Sequence, residues 1–173
     1  MKTYHHGNLK KELIKCACVM CERDGYTKLS IRSLAKESKV SQTAPYRHFK
    51  TKEDLYAAIV KEGFDKLNKK MMSIKIKDSK NYLIGCGKTY IDFGLNNANT
   101  YDLMFGTAVG NYADYPDLSE SANNLFQFLL SSFRKLSDDD DEIVAFKCIT
   151  LWSMVHGLVG IIRKVNIAGD GSK

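Results

Sequence analysis

The chain has 173 residues, of which 44% are hydrophobic and 27% are charged, and its net charge is +6. These values are ordinary for a soluble globular protein, and the length allows one large domain or two small ones with a buried core. No apolar run approaches the roughly 20 residues needed to cross a bilayer, so we expect no membrane partner.

Only two prolines occur, and no alternating runs rich in Val and Thr, which favours an all-helical fold. Residues 1–6 contain no apolar signal-peptide core, so the expected location is cytoplasmic. The chain has five cysteines, an odd number. In an intracellular protein we expect them to be free thiols.

Positive charge is concentrated in the N-terminal part of the chain. Residues 1–75 hold 17 Lys and Arg against 8 Asp and Glu, a net of +9, whereas residues 76–173 hold 9 against 12, a net of −3. A basic N-terminal module suits a polyanionic partner such as nucleic acid, although a solubilising lysine surface would give the same balance.

The first helix is predicted over residues 9–23, with Asn8 as a possible cap and Gly25 just beyond its end. Its apolar positions recur at helical spacing. They are Leu9, Leu13, Cys16, Ala17 and Met20.

Three cysteines lie close together in this helix, at Cys16, Cys18 and Cys21, and His5 and His6 precede them. No second cysteine pair completes a set of four metal ligands, so we interpret these cysteines as small core side chains and expect no metal. A redox role remains an alternative.

Two short helices joined by a tight turn are predicted over residues 30–49. Ser30 can cap the first of them, and its apolar face is Ile31, Leu34 and Ala35. Ser41 can cap the second helix, in which we expect Tyr46 and Phe49 to form the buried side. This spacing matches a helix-turn-helix, whose second helix enters the major groove of DNA.

A long fourth helix is predicted from Thr51 to about residue 73. Thr51 and Asp54 have the spacing of a capping box. The negative charge of Glu53 is favourable near the N-terminus of the helix, which is the positive end of its dipole. The lysines of its outer face are Lys61, Lys66, Lys69 and Lys70.

Residues 30–64 resemble the DNA-binding domain of the TetR (tetracycline-repressor) family of bacterial transcriptional regulators. The matching residues are Leu34-Ala35, Val40-Ser41, Tyr46-Arg47-His48-Phe49, Lys52-Glu53-Asp54-Leu55 and Gly63-Phe64. The family usually has glycine at the turn position that Lys39 occupies here. A left-handed backbone is often needed there, which costs a non-glycine residue roughly 1 kcal/mol.

Four further helices are predicted, over residues 81–95, 101–105, 118–136 and 139–165, with the longest loop over 106–117. We expect Ser137 to cap the last helix and interpret the acidic run at 138–142 as its start rather than as a metal site. Residues 149–162 are apolar almost all round. That pattern predicts a dimer helix, or else the central helix of a monomeric bundle.

Within the last helix, Trp152, His156 and Gly157 resemble a Trp-x-x-x-His-Gly element of one branch of the family. The resemblance implies a helix-turn-helix bundle over residues 1–50, a connecting helix over 51–74, and a ligand-binding and dimerisation domain over 80–165. The tail, 166–173, is too short for the family's usual last helix, so either other elements form the dimer or the chain is a shortened form.

The resemblance implies a repressor that binds a palindromic operator as a homodimer and is released by a small molecule, with no cofactor. The predicted DNA-binding residues are Ser41, Gln42, Thr43, Tyr46, Arg47, His48 and Lys52. Gln and Thr can reach base edges, Arg47 can reach a guanine or a phosphate, and the others suit phosphates, with core packing as an alternative role for Tyr46. The candidates for lining a ligand site are Tyr90, Phe93, Met104, Phe105, Phe126, Trp152 and His156.

Other classes of protein compete with this interpretation. An enzyme is disfavoured, because His156 has no Ser, Cys or carboxylate at catalytic spacing and no glycine-rich phosphate loop occurs. A ligand-independent architectural DNA binder and an interaction module without DNA binding remain as alternatives.

Overall fold

A computed structural model of the chain describes residues 9–165, in which every regular element is helical. The predicted all-helical fold is therefore confirmed for this range. The helices are α1 (Leu9–Asp24), α2 (Ile31–Glu37), α3 (Lys52–Met72), α4 (Ser79–Asn96), α5 (Ala98–Phe105), α6 (Pro116–Arg134) and α7 (Asp141–Lys164). The predictions for His5, His6, Asn8 and the tail at 166–173 lie outside the described residues.

The chain divides into two compact units, and the division does not follow the boundaries predicted from the sequence. The first unit comprises residues up to Phe64 together with Ala98–Ser121, and the second comprises Asp65–Asn97 with the residues from Ala122 onward. Helix α5 and the loop after it are therefore part of the N-terminal unit, although their position in the chain suggested the C-terminal domain.

Helix α5 is fixed to α1 within the first unit by two hydrogen bonds that Glu22 accepts. The Glu22 carboxylate accepts the Thr100 backbone N–H at 2.7 Å, and the Glu22 carbonyl accepts the Asn99 side-chain amide at 2.9 Å. Glu22 thus satisfies an N–H in the first turn of α5 that the helix itself leaves unpaired.

Helices α3 and α5 also approach closely in this unit. A β-carbon at Gly63 would lie only 2.6 Å from the sulfur of Met104, so a larger residue there would require the Met104 side chain to move.

The first half of the predicted helix-turn-helix folds as expected. Ser30 caps α2, since its hydroxyl accepts the Ser33 N–H at 3.0 Å, and its three predicted apolar residues are all buried. Lys39 has a φ of 53°, which confirms the left-handed turn expected at this position.

The second half differs from the prediction. Residues 42–44 form turns and Pro45–Arg47 form a 3₁₀ helix, so the segment is not a continuous α-helix. The Ser41 hydroxyl lies 3.4 Å from the Thr43 hydroxyl, where we had expected it to cap a helix. Phe49 is buried as predicted, but Tyr46 is 44% exposed. The prediction of a buried Tyr46 was wrong, because the tighter 3₁₀ turn buries Pro45 instead.

The predicted capping box at the start of α3 is confirmed. The Asp54 N–H donates to the Thr51 hydroxyl at 3.0 Å, while the Asp54 carboxylate accepts the N–H groups of Lys50 and Thr51 at 2.8 and 2.9 Å. These bonds join the segment after Phe49 firmly to α3.

In the second unit, α4 and α7 pack directly on each other. A β-carbon at Gly87 of α4 would lie 3.7 Å from Val155 of α7, so the two helices are in ordinary contact there. The cap of α7 is Asp140, whose carboxylate accepts the Ile143 N–H at 3.0 Å, and not Ser137 as predicted. The Ser137 hydroxyl donates to Asp139, which precedes the helix.

Helix α7 keeps most of its apolar side chains exposed within the single chain. Only Val144, Cys148 and Val159 are buried on it. The exposed apolar side chains, called the α7 face below, are Ile143, Phe146, Ile149, Leu151, Met154, Leu158, Ile161 and Val165.

By length and composition alone, α7 could cross a membrane. Its most apolar window has a mean hydropathy of 1.6, so the expectation that no segment approaches this length and hydrophobicity was wrong. The short polar and charged interruptions, such as Lys147, had made the apolar run look shorter in the sequence.

Candidate functional site

The predicted base-reading side chains lie on an exposed segment. Gln42, Thr43 and Arg47 are exposed, and the buried residues Pro45 and Phe49 fix the same segment to the body of the first unit. A polar surface anchored by buried apolar neighbours can present side chains to a ligand at little entropic cost.

Two predicted phosphate contacts have defined local environments. Lys52 donates to the Thr27 carbonyl at 3.2 Å, and its ammonium lies 5.2 Å from the centre of the Tyr56 ring. His48 is partly buried, with its ring 6.4 Å from that of Phe49. An ammonium has three donors, so the bond to Thr27 leaves Lys52 with further donors for a phosphate.

A surface groove of about 540 Å³ runs beside this segment. Leu9, Val40 and Ala44 form its apolar part, and its polar lining is Lys39, Ser41, Arg47 and His48. Among the described residues, no acidic side chain lines it. Such a groove suits a phosphate, because donors and positive charges are present without a repelling carboxylate.

Arg23 connects α1 to α2 at the edge of the same unit. Its guanidinium donates to Glu37 at 2.8 Å and to Asp24 at 2.7 Å. These hydrogen bonds hold the pKa values of both carboxyl groups below their usual range. Because all three groups are solvent exposed, this network orients the two helices more than it stabilises them.

The ligand-site candidates divide between the two units. Tyr90, Trp152 and His156 form a hydrogen-bonded cluster in the second unit: the Trp152 indole N–H donates to the Tyr90 hydroxyl at 3.0 Å, and that hydroxyl lies 3.0 Å from Nδ1 of His156. Phe126 lies beside the cluster, with its ring centre 6.4 Å from that of Trp152. Phe93 is fully buried.

Met104 and Phe105 belong to the first unit, where they have packing roles. Met104 lies against Gly63, and the Phe105 ring meets those of Phe64 and Tyr101 at 5.8 and 4.8 Å.

A cavity of about 30 Å³ lies next to the Tyr90 cluster. It is lined mainly by apolar residues of α4, α6 and α7, with Tyr90 and Trp152 among them. Typical small-molecule sites measure about 300–1,000 Å³, so this cavity is well below that range. Burial lowers the pKa of His156, which keeps its imidazole neutral at physiological pH.

Sequence reasoning missed two features of the first unit. It did not identify Lys39 as part of the groove, although a lysine at a position usually held by glycine was a visible signal. It also did not identify Glu22 and Glu53 as anchors, of which Glu53 accepts the Gly110 N–H at 2.8 Å. No local pattern marks these contacts, because each joins residues more than 50 positions apart.

Two family models match the sequence. Residues 13–59 match the model described as bacterial regulatory proteins of the tetR family, and residues 83–167 match a tetracyclin repressor-like C-terminal domain. No curated protein matches the sequence significantly.

Several solved structures share the fold. A tetR-family transcriptional regulator from Streptomyces coelicolor aligns with a TM-score of 0.69 at 17% identity, over 90% of this chain and 72% of that one. The fatty acid degradation regulator FadR from Bacillus halodurans aligns with a TM-score of 0.65 at 16% identity, over 89% of each chain. The regulator PfmR from Thermus thermophilus aligns with a TM-score of 0.63 at 17% identity, over 86% of this chain and 84% of that one.

Matches to the family at both the N-terminal and the C-terminal part agree with the helical fold and with the exposed segment described above. The chain therefore belongs to the TetR family and is a DNA-binding transcriptional regulator, not an enzyme.

Proposed function

We propose that this protein is a cytoplasmic repressor that binds a palindromic operator as a homodimer and leaves it when a small molecule binds. One observation carries the DNA-reading part of the proposal. Gln42, Thr43 and Arg47 are exposed together on a segment that Pro45 and Phe49 anchor in the core. Exposed amide, hydroxyl and guanidinium groups are the chemistry that reads base edges and phosphates.

The role of each residue follows from its chemistry. Gln42 pairs bidentately with adenine, Thr43 contacts a thymine methyl group, and Arg47 contacts a phosphate. Tyr46 is exposed, which supports a contact with the DNA backbone over a role in the core. Ser41, His48 and Lys52 complete the proposed set of phosphate contacts.

The α7 face supports the proposal of a homodimer. Phe146 and Met154 are 71% and 65% exposed, and five more exposed apolar side chains accompany them on α7, with Val165 just after its end. A concentration of exposed apolar side chains of this kind is typical of an interaction site. A second copy of the chain covers it most simply, because twofold symmetry also gives the two recognition segments that a palindrome requires.

The effector site of the proposal is the Tyr90 cluster in the second unit. Trp152 and Phe126 offer aromatic surface to a small molecule, while Tyr90 and His156 offer hydrogen bonds. Because the cavity there holds only about 30 Å³, a ligand binds the protein in an expanded conformation. Ligand binding then favours that conformation over the one that binds DNA, with a typical coupling of about 1–3 kcal/mol.

The test of this function uses DNA from beside the protein's own coding region. An inverted repeat found there is labelled and titrated with the protein, and we expect saturable binding of two chains per duplex. A duplex with the same composition but a scrambled repeat should bind about 10³-fold more weakly. Equal binding to both duplexes would favour the architectural binder, and no binding to either would favour the interaction module.

A further inference from the structure

We infer that Lys39 binds a DNA phosphate in the groove beside the recognition segment. The inference rests on the proposed function and extends it to a residue outside the expected set of contacts. The first observation is an unfavourable backbone conformation. Lys39 is the one non-glycine residue with a positive φ, 53°, in the described part of the chain.

The left-handed conformation itself serves the fold. The Lys39 N–H donates to the Lys36 carbonyl, and the Val40 N–H donates to the Ala35 carbonyl, both at 3.1 Å. These bonds close the end of α2, and a glycine would form them equally well without a side chain. The turn therefore does not require a lysine side chain, so the side chain must have another function that offsets the backbone strain.

The residues around the Lys39 side chain indicate that function. Lys39 is exposed and lines the groove with Ser41, Arg47 and His48, and no carboxylate among the described residues shares that lining. No ion pair ties the Lys39 ammonium to another described side chain. An available ammonium beside a hydroxyl, a guanidinium and an imidazole has the chemistry of a phosphate site.

A phosphate contact by Lys39 makes a quantitative prediction. Each phosphate neutralised by a cation contributes about 0.9 to the slope of log K against log salt concentration. Removing one contact therefore flattens this slope by about 0.9 per bound chain. At 0.1 M salt it weakens binding about eightfold per chain.

The experiment measures binding to a fluorescent duplex of about 30 base pairs and arbitrary sequence, at salt concentrations from about 50 to about 200 mM KCl. Phosphate contacts form without an operator, so the assay does not depend on finding one. Four full-length variants are compared with the wild type. Lys39→Gly and Lys39→Asn keep the left-handed turn without the charge, Lys39→Arg keeps the charge, and Lys88→Gln removes one exposed lysine of the second unit.

We expect Lys39→Gly and Lys39→Asn to bind with a flatter slope and lower affinity, while Lys39→Arg and Lys88→Gln match the wild type. The melting temperature of Lys39→Gly should be no lower than that of the wild type, which separates a DNA contact from a folding role. If wild type binds and Lys39→Gly has the same slope and affinity, this inference alone is wrong. If the wild type binds no duplex at all, the proposed function fails with it.

Discussion

The attachment of α5 to α1 rests on Glu22, and replacing this residue by alanine tests the division into compact units. The Glu22 carboxylate is partly buried and accepts the Thr100 N–H at 2.7 Å, and Thr100 itself is only 7% exposed. In Glu22→Ala the amide of Thr100 loses its partner in a site with little access to water. A hydrogen bond to a charged group contributes about 1.5–3 kcal/mol, so we expect a loss of about 2 kcal/mol of unfolding free energy.

For a chain of this length, 1 kcal/mol corresponds to about 2–4 °C in melting temperature, so Glu22→Ala should melt about 4–8 °C below the wild type. Calorimetry or circular dichroism at one fixed protein concentration measures the difference, since association would otherwise shift the result. Glu22→Gln keeps an acceptor and should lose about half as much.

Glu12→Ala is the matched control, because Glu12 is an exposed residue of α1 and, among the described side chains, its ion pair is with Lys15 of the same helix. It should change stability by less than about 0.5 kcal/mol. A Glu22→Ala protein as stable as the Glu12→Ala control would refute the argument that this contact holds α5 in the first unit.

Three more predictions concern α7 and the cysteines. Met154→Lys on the α7 face should convert a dimer to a monomer in analytical ultracentrifugation. Met72→Lys, at an equally exposed methionine on α3, should leave the dimer unchanged. A Met154→Lys protein with the same mass in solution as the Met72→Lys protein would contradict a dimer formed through α7. Because burial lowers the pKa of His156, the unfolded chain binds a proton there more readily than the folded chain does. The free energy of unfolding should therefore be highest above about pH 6.5 and should decrease as the pH is lowered from there. His156→Gln should reduce this loss of stability at low pH, as measured by urea titrations. A stability profile that changes with pH as the wild type's does would contradict the role of His156. Iodoacetamide at about pH 8 should label the partly exposed Cys16 and Cys18 first, as measured by peptide mass spectrometry. The reason is that burial raises the pKa of Cys21 and of Cys86 to about 11 and so keeps these two thiols protonated. Fast labelling of Cys21 and Cys86 would contradict their burial.

The sequence predicted those parts of the fold that local chemistry determines. Ser30 and the pair Thr51 and Asp54 form the expected caps, because capping depends on residues three positions apart. The left-handed turn at Lys39 followed from a family pattern of similarly short range.

What the sequence could not predict depends on contacts between distant residues. Residues 45–47 wind as a 3₁₀ helix, so Pro45 rather than Tyr46 faces the core, and helical periodicity alone gave the wrong side. Met104 and Phe105 were ligand-site candidates because they are apolar and lie in the C-terminal half. They pack in the first unit, because Glu22 and Gly63 bring α5 there.

The candidate sites follow the same division. Exposure of Gln42 and Arg47 was foreseeable from a polar pattern on a short segment, whereas the Tyr90 cluster joins residues more than 60 positions apart. Trp152 and His156 were identifiable because they lie four apart on one helix face, but the hydroxyl that links them comes from another helix.

The central claim is that Gln42 reads a base. The most direct measurement selects tight-binding duplexes from a randomised library with the wild type, and then again with Gln42→Ala. We predict that the wild type selects an inverted repeat, and that Gln42→Ala tolerates other bases at one position of each half-site, with a loss of about 1–3 kcal/mol of discrimination there. An identical preference at every position in both selections would contradict the account.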